Sequence, residues 1–505
     1  MHKYDVIIMG SGLGGLVCGA ILSQNGYRVR IYEKNRQIGG CLQTYSREKV
    51  IFDSGVHYIG GLAEGENLYK VFNYLGIFDK LRLKRMDMDG FDHINFSGED
   101  KVYRIAQGED NFIRTLLADF PDEKDALYAY CNKINEVSGK FPLYNLRVGD
   151  YEEKRNVLNI NTADFLRSIT NNERLQNVLA GNNLLYAGVA EKTPFYVHAL
   201  VLNSYMKSAW KCVDGGSQIG KLLWRKIREN GGTIIRNTPV TSIQGVGDRV
   251  DHIVLQDGTK VQGDYFISNL HPAQTMAITR SDTLRSAYRN RVQGLENATG
   301  AFVLNVVLKP GTFKYLNHNY YYHATDNAWA GIDYQAAEWP QTYAMYVSAS
   351  SRHETYADSL SVMTYMRYEE MQPWQHTFNT VLQPDSRGTD YEAFKNQKAE
   401  RLIDCVAQQF PDFRNCIQSY YVATPLSYRD YMGTGDGSMY GIQKDSADPL
   451  RTMISARTKL SNLYLTGQNL NLHGILGVTI SSVITSAELL GMDFLVEAIN
   501  QSIHK

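Results

Sequence analysis

The sequence predicts an α/β fold on three observations: a strand, glycine turn, helix and strand at residues 4–33, a helix leading into strands from residue 215, and a short apolar strand entering a long helix at residues 462–490. In the first unit, Val6, Ile7 and Ile8 read as a buried parallel strand, and Val29 to Tyr32 as a second. Between them, Leu16, Val17, Ala20 and Ile21 form one helical stripe. The turn reads Gly10-Ser-Gly12-Leu13-Gly14-Gly15. Gly10 permits the bend, Gly12 lets backbone approach a pyrophosphate, and Gly15 lets the helix pack closely on the strand, while free N–H groups at the helix start face the phosphates. Glu33, with Lys34 beside it, lies about 20 residues past the glycines, where an acid meets a ribose. A dinucleotide pocket is the expectation.

Past Glu33 the chain reads Gly39-Gly40-Cys-Leu-Gln43-Thr44 and then Phe52-Asp53-Ser-Gly55-Val-His57-Tyr58-Ile59-Gly60. A nicotinamide dehydrogenase has no need of a second Gly-Gly turn here, whereas flavoproteins of the glutathione-reductase type use one to bring more backbone against the dinucleotide. FAD is therefore the expected cofactor. In the second unit, Ile219, Leu222, Leu223 and Ile227 make a helical stripe, followed by strands at Thr233-Ile234-Ile235 and Pro239 to Ile243. Val250 to Leu255, a turn at Gln256-Asp257-Gly258 and Lys260-Val261 read as a hairpin, and Tyr265 to Asn269 as a further strand. At the far end, Asn462 to Gly467-Gln468 is an apolar strand meeting a glycine. Gly474-Ile-Leu476-Gly477-Val478 then opens a helix reaching Leu490, whose positive end suits an anionic group.

Composition is ordinary for a globular protein, with 43% hydrophobic and 21% charged residues among 505. Lys plus Arg (52) nearly balances Asp plus Glu (53), so no global field recruits nucleic acid or an anionic membrane, although a local patch could escape this count. No run reaches the roughly 18 apolar residues of a membrane span, and the first residues show no basic and apolar leader. A cytoplasmic location is expected, with peripheral membrane association left as a further expectation. The six cysteines form no CxxC pair and no metal spacing, so no metal is expected. GGSQIG at residues 215–220 lacks the GxGxxG form, which leaves NAD(P)H as a candidate external electron donor without a fingerprint of its own.

Six blocks together resemble the polyene-handling branch of the FAD amine-oxidase-like flavoproteins, which includes phytoene desaturases, carotenoid isomerases and retinol saturases. They are GSGLGGL, GGCLQTY with FDSGVHYIG, LLYAGVAEKTPFYVHAL, AWKCVDGGSQIGKLL, ATPLSYRDYMGTGDGSMYGI and LYLTGQNLNLHGILGVTISS. The chain departs from the family at Trp210-Lys211-Cys212-Val213-Asp214, where Trp-Tyr-Pro is usual, and at Gly467-Gln468-Asn469, where Gly-Gln-Asp is usual. The resemblance implies a Rossmann-like FAD-binding domain of the glutathione-reductase type (residues 1–85, 205–284 and 436–505) interleaved with an α+β substrate domain (86–204 and 285–435). It also implies adenine contact by the Val240 backbone, a strand ending at Asn269 beside the cofactor, and ribityl contact by Gln468. The implied activity is redox chemistry at a carbon–carbon double bond of a lipophilic polyene, most like retinol saturation. Alternatives are carotenoid desaturation or isomerisation, amine oxidation, and a flavin-bound lipid carrier.

For catalysis, His57 and Tyr58 follow the Gly55 turn that the family places near the isoalloxazine, and Tyr440 sits in the GSMYGI loop beside it. His198 and His473 are further candidates, although a histidine among apolar neighbours is ordinarily a structural hydrogen-bonder. The 34 tyrosines include Tyr186, Tyr196, Tyr205, Tyr320, Tyr321, Tyr322, Tyr343 and Tyr346, whose faces could line a tunnel for a conjugated chain.

Overall fold

The computed structural model describes residues 4–150 and 152–502, so the outermost residues of the expected segments 1–85 and 436–505 lie outside the described residues. Two large sheets organise it. The first runs Thr233–Ile235, Val29–Tyr32, Tyr4–Met9, Lys260–Ser268, Arg249–Leu255, Val240–Val246 and Thr279–Arg280, with Leu463–Leu465 also paired to Lys260–Ser268. Its centre is parallel, with Ile8 level with Ile31 and Ile7 level with Phe266. The expected hairpin arm at Lys260-Val261 and the strand at Tyr265 to Asn269 are one strand. Its first residues pair antiparallel with Arg249–Leu255 and its remainder parallel with Tyr4–Met9. Gly263 marks the changeover, where a Cβ would come 2.9 Å from Ile7 Cδ1.

Helix Leu13–Gln24 was expected to bury one stripe, but every residue from Leu13 to Ser23 is buried. The cause is a neighbour on each side. Helix Ser217–Glu229 approaches across Gly19, whose Cβ would sit 2.9 Å from Ile31 Cδ1 and 3.0 Å from Ile227 Cδ1. Helix Gly474–Leu490 approaches on the other flank, where Ser482 Oγ donates to the Gly14 carbonyl at 3.2 Å. Small residues thus make a helix with no polar face.

The second sheet runs Ile417–Ala423, Gly300–Leu308, Ser359–Met366, Thr342–Val347, Asn319–His323, Asp92–Phe96 and Val102–Ile105, antiparallel except where Asn319–His323 meets Asp92–Phe96. Its central strands are buried on both faces, and alternation sorts their side chains. Phe302, Leu304, Tyr320, Tyr322 and Tyr343 join Leu402, Ile403 and Val406 of helix Thr389–Gln409. Ala301, Val303, Tyr321, Tyr346 and Met363 point the other way, toward the first sheet's helices. The expected domain break after residue 204 falls inside helix Phe195–Lys207, which runs on into strand Ala209–Cys212. That strand pairs with Ile59–Gly60 and Leu83–Arg85, so a small third sheet crosses the expected boundary. Among the described residues no helix is long and apolar enough to cross a membrane.

Overpacking costs about 1–3 kcal/mol per inserted group. Gly19→Val is accordingly expected to lower the thermal unfolding midpoint, measured by circular dichroism on the flavin-loaded protein.

Candidate active site

A single cleft of about 1610 Å³, counting its open mouth, lies between the two sheets and takes walls from the glycine turn, the Gly55 segment, helix Phe195–Lys207 and both ends of the 423–478 region. Gly12, Leu13, Gly14, Gly39, Gly55, Asn269, Gly467, Gln468, Leu476, Gly477 and Val478 all line it, as do His57, Tyr58 and Tyr440. At its floor the Asn269 amide lies against three glycines. A Cβ would come 2.8 Å from Asn269 Nδ2 at Gly12, 2.4 Å from Oδ1 at Gly14 and 2.7 Å from Oδ1 at Gly467. Gly10 has φ +93°, which favours glycine, and a Cβ at Gly15 would sit 2.1 Å from the Gly10 carbonyl oxygen. The N-terminal turns of helices Leu13–Gln24 and Gly474–Leu490 both border the cleft, so two sets of unpaired N–H groups converge there.

Other expected cofactor residues support this cradle from behind. Glu33 is buried, its Oε2 accepting from Ser11 N at 2.8 Å and Ser11 Oγ at 2.6 Å and its Oε1 from Asn35 N at 2.8 Å. A Cβ at Gly40 would meet Gly12 Cα at 3.1 Å, so the two turns touch there. Lys34 Nζ donates to the Asp430 carbonyl at 2.9 Å, Gln43 Nε2 to the Gln37 carbonyl at 2.9 Å and Thr44 Oγ1 to Ser217 Oγ at 3.0 Å, all outside the cleft. Val240 packs with the hairpin core.

The Gly215-Gly216 pair holds protein. Gly216 N donates to Asp53 Oδ1 at 2.7 Å, and burial pushes the Asp53 carboxyl up to about 7. A Cβ at Gly215 would come 2.7 Å from Thr44 Cγ2. The first departure from the family pattern also lies outside the cleft, since Lys211 Nζ is buried and donates to the carbonyls of Leu316 (3.0 Å) and Val347 (2.9 Å). In the second departure, Asn469 lines the cleft and its Oδ1 accepts from Ile442 N at 3.0 Å.

Among the expected catalytic groups, His57 stacks flat on Tyr346, with centroids 4.3 Å apart and planes 2° apart. Burial, and then Lys211 nearby, pushes it down to about 4, so it is neutral at physiological pH. Tyr440 donates its hydroxyl to the Leu184 carbonyl at 2.9 Å, and His473 Nε2 donates to the Leu185 carbonyl at 2.8 Å. Both fasten the 184–185 turn. His198 lies outside the cleft, bracketed by the Tyr130 and Tyr186 hydroxyls at 2.7 Å each.

Tyr58 is different. Its hydroxyl is 3.0 Å from Asp92 Oδ2 and 2.7 Å from the Tyr321 hydroxyl, which is 3.4 Å from that of Tyr346. Asp92 also accepts from Asn182 Nδ2 at 3.2 Å and Asn319 Nδ2 at 2.8 Å, and burial pushes it up to about 6. Sequence reasoning missed Asp92, which in the sequence shares the stretch Phe91 to Phe96 with the polar His93 and Asn95 and so does not stand out as an isolated buried acid. Of the tyrosines named from the sequence, Tyr205 and Tyr346 line the cleft, joined there by Tyr58, Tyr428, Tyr440, Met363, Met432 and Met439. Cys41 lines it as well, its thiol pushed up to about 11 by burial and so unsuited to thiolate chemistry. No Asp, Glu, Lys or Arg side chain belongs to the lining among the described residues.

The family described as flavin containing amine oxidoreductase matches residues 13–490. The chain belongs to that family. All-trans-retinol 13,14-reductase of Danio rerio is 24% identical, the alignment covering 98% of this chain and 87% of that protein. The Homo sapiens protein of the same name is 26% identical over 97% and 86%. A solved structure of putrescine oxidase bound to putrescine superposes with TM-score 0.64 at 13% identity, covering 97% of this chain and 99% of that one. The chain is thus an FAD-dependent oxidoreductase, and its residues fit the cofactor. The glycine cradle would take the pyrophosphate and the Gly474–Leu490 N-terminus the flavin's electron-rich edge, while Glu33, outside the cleft lining and held by Ser11 and Asn35, braces the turn from behind.

Gly12→Glu would drive a side chain into Asn269 and set an anion where the phosphates belong. The purified variant is expected to lack the flavin absorbance bands. His57, His198 and His473, pushed down to about 4, 3 and 4, stay neutral while the unfolded chain takes up protons near pH 6.5. Each therefore withdraws stability as pH falls from about 6.5 toward 4. Asp53 and Asp92, pushed up to about 7 and about 6, act with the opposite sign and offset part of it. The urea midpoint is expected to be lower at pH 5 than at pH 7.

Proposed function

We propose that the chain reduces or otherwise transforms a carbon–carbon double bond of a lipophilic polyene, a retinoid or carotenoid, in the manner of a retinol saturase. The observation that carries this reading is the character of the cleft: aromatic and thioether side chains continuous with the flavin cradle, with no charged side chain among the described lining residues. Such a wall favours an uncharged, elongated, polarisable ligand, because rigid aromatic faces give large apolar contact. A protonated amine would find no carboxylate there. The reductase name carried by relatives over nearly the whole chain supports the same substrate class.

The bound flavin supplies hydride exchange, with NAD(P)H as the external donor. The chain's own residues hold the substrate and a proton. Saturation adds a hydride to one carbon and a proton to its neighbour. We assign the proton to the hydroxyl chain of Tyr58, Tyr321 and Tyr346, with Asp92 at its inner end. When Asp92 is ionised, the Tyr58 proton is drawn toward it. When Asp92 is protonated it can donate to Tyr58, which frees the hydroxyl protons to point outward to the cleft. His57, neutral and stacked on Tyr346, holds that ring in place.

An anaerobic titration of the chemically reduced protein with retinol and with a carotenoid tests the reading. Loss of polyene absorbance with matching flavin reoxidation is expected; an isomerised polyene without flavin oxidation would assign isomerisation, and no change in either band would overturn the proposal. General acids contribute about 10²- to 10⁴-fold. Tyr58→Phe is expected to keep its flavin and to slow polyene reduction by at least about 100-fold in stopped-flow traces.

A further inference from the structure

A second concave surface lies on the outer side of helix Pro425–Met432, away from the cleft. Trp224, Val381 and Leu382 line it together with Arg36, Lys221 and Arg236, and no Asp or Glu belongs to its lining among the described residues. The apolar members are poorly covered: Trp224 is 38% exposed, Leu382 46% and Val381 64%, and the neighbouring Phe378 is 42% exposed. Phe378, Val381 and Leu382 stand on an irregular segment where they gain little from the core, and with Trp224 of helix Ser217–Glu229 they cluster on a chain whose net charge is only −1.

The segment that displays them is fastened. Val381 N donates to the Tyr431 hydroxyl at 3.0 Å, Asn379 N to Asp430 Oδ2 at 2.8 Å, and Arg429 Nη1 to the Gln375 carbonyl at 2.6 Å. Buried Arg387 pairs with Asp430 at the segment's far end. The one carboxylate within residues 376–387, Asp385, is exposed beyond the apolar tips, and its Oδ1 accepts from Arg387 N at 3.2 Å. Beside it, helix Ser217–Glu229 presents Lys221, Arg225 and Arg228 to solvent around Trp224, with the Arg228 guanidinium 5.7 Å from the Trp224 ring centre. Apolar tips, an indole and a basic rim on one face are the elements that hold a protein at an anionic bilayer surface: the tips enter the acyl boundary, the indole sits among headgroups, and the cations meet anionic lipid.

We infer that this face docks the protein peripherally on an anionic lipid bilayer, with Phe378, Val381, Leu382 and Trp224 inserted and Arg36, Lys221 and Arg236 against the headgroups. The helix that fastens the inserted segment also turns Tyr428 and Met432 into the cleft, so the lipid surface and the active site share one wall.

Flotation of the flavin-loaded protein with vesicles tests this without any polyene, so its outcome is independent of the substrate reading. Wild type is expected to float with vesicles of phosphatidylcholine and phosphatidylglycerol, to stay behind with pure phosphatidylcholine, and to release as salt is raised. Val381→Asp with Leu382→Asp is expected to cut bound protein by at least about tenfold while keeping the flavin spectrum, and Leu450→Asp, at an exposed leucine elsewhere, to leave binding unchanged. Failure of the wild type to float with anionic vesicles, or flotation of the double variant equal to wild type, would overturn the inference. Self-association abolished by the double variant, with no flotation, would overturn it too and give the face to a second copy of the chain.

Discussion

Three stretches of backbone meet at the Asn269 side chain, and they can do so because Gly12, Gly14 and Gly467 have no side chains of their own. The contact joins residues separated by hundreds of positions. It sets the distance between the N-terminal helix and the strand Leu463–Leu465, and through that strand the position of helix Gly474–Leu490. Both helix N-termini therefore reach the same cleft, which is what gives it two electropositive ends for one long anionic cofactor. Remove the closeness and the cradle, the cleft floor and the C-terminal wall separate together.

The nucleotide end of the site was legible because backbone geometry imposes it. A turn with a positive φ and a helix packed on a strand leave glycines at fixed spacing, and Gly10, Gly15 and the Gly474 helix start were found that way. What the sequence could not separate was cradle from buttress. Lys34, Gln43 and Thr44 follow the same glycines, yet their side chains satisfy neighbours outside the cleft, a matter of rotamer and of which segment lies behind. Gly215-Gly216 makes the same point: a glycine pair records a close approach without saying whether protein or cofactor approaches, and here it is protein.

The substrate side was less legible, since its walls come from strands buried on both faces. In Asn319–His323, alternation sends Tyr320 and Tyr322 to the helix Thr389–Gln409 side and Tyr321 toward the cleft side. Three consecutive tyrosines cannot reveal which of them faces which way until the partner strands are known. Asp92 escaped notice on similar grounds, because its partners Tyr58, Asn182 and Asn319 come from three remote segments. The helix Leu13–Gln24 stripe was too narrow because periodicity reads one packing surface at a time, and this helix has several.

Interleaving also imposes an order of events. The central sheet takes strands from residues 4–32, 233–268 and 463–465, so its last parallel strand and the helix that completes the cleft come from residues 463–490, far along the chain from the first strands. During synthesis from the N-terminus, the glycine turn emerges long before the residues that oppose it. Contacts between such distant positions form slowly, since the loop entropy is lost before they reward it. The flavin thus has a complete site only once residues 463–490 have joined the sheet. Until then the apolar flanks of Gly474–Leu490 and of the N-terminal helix lack their mutual cover.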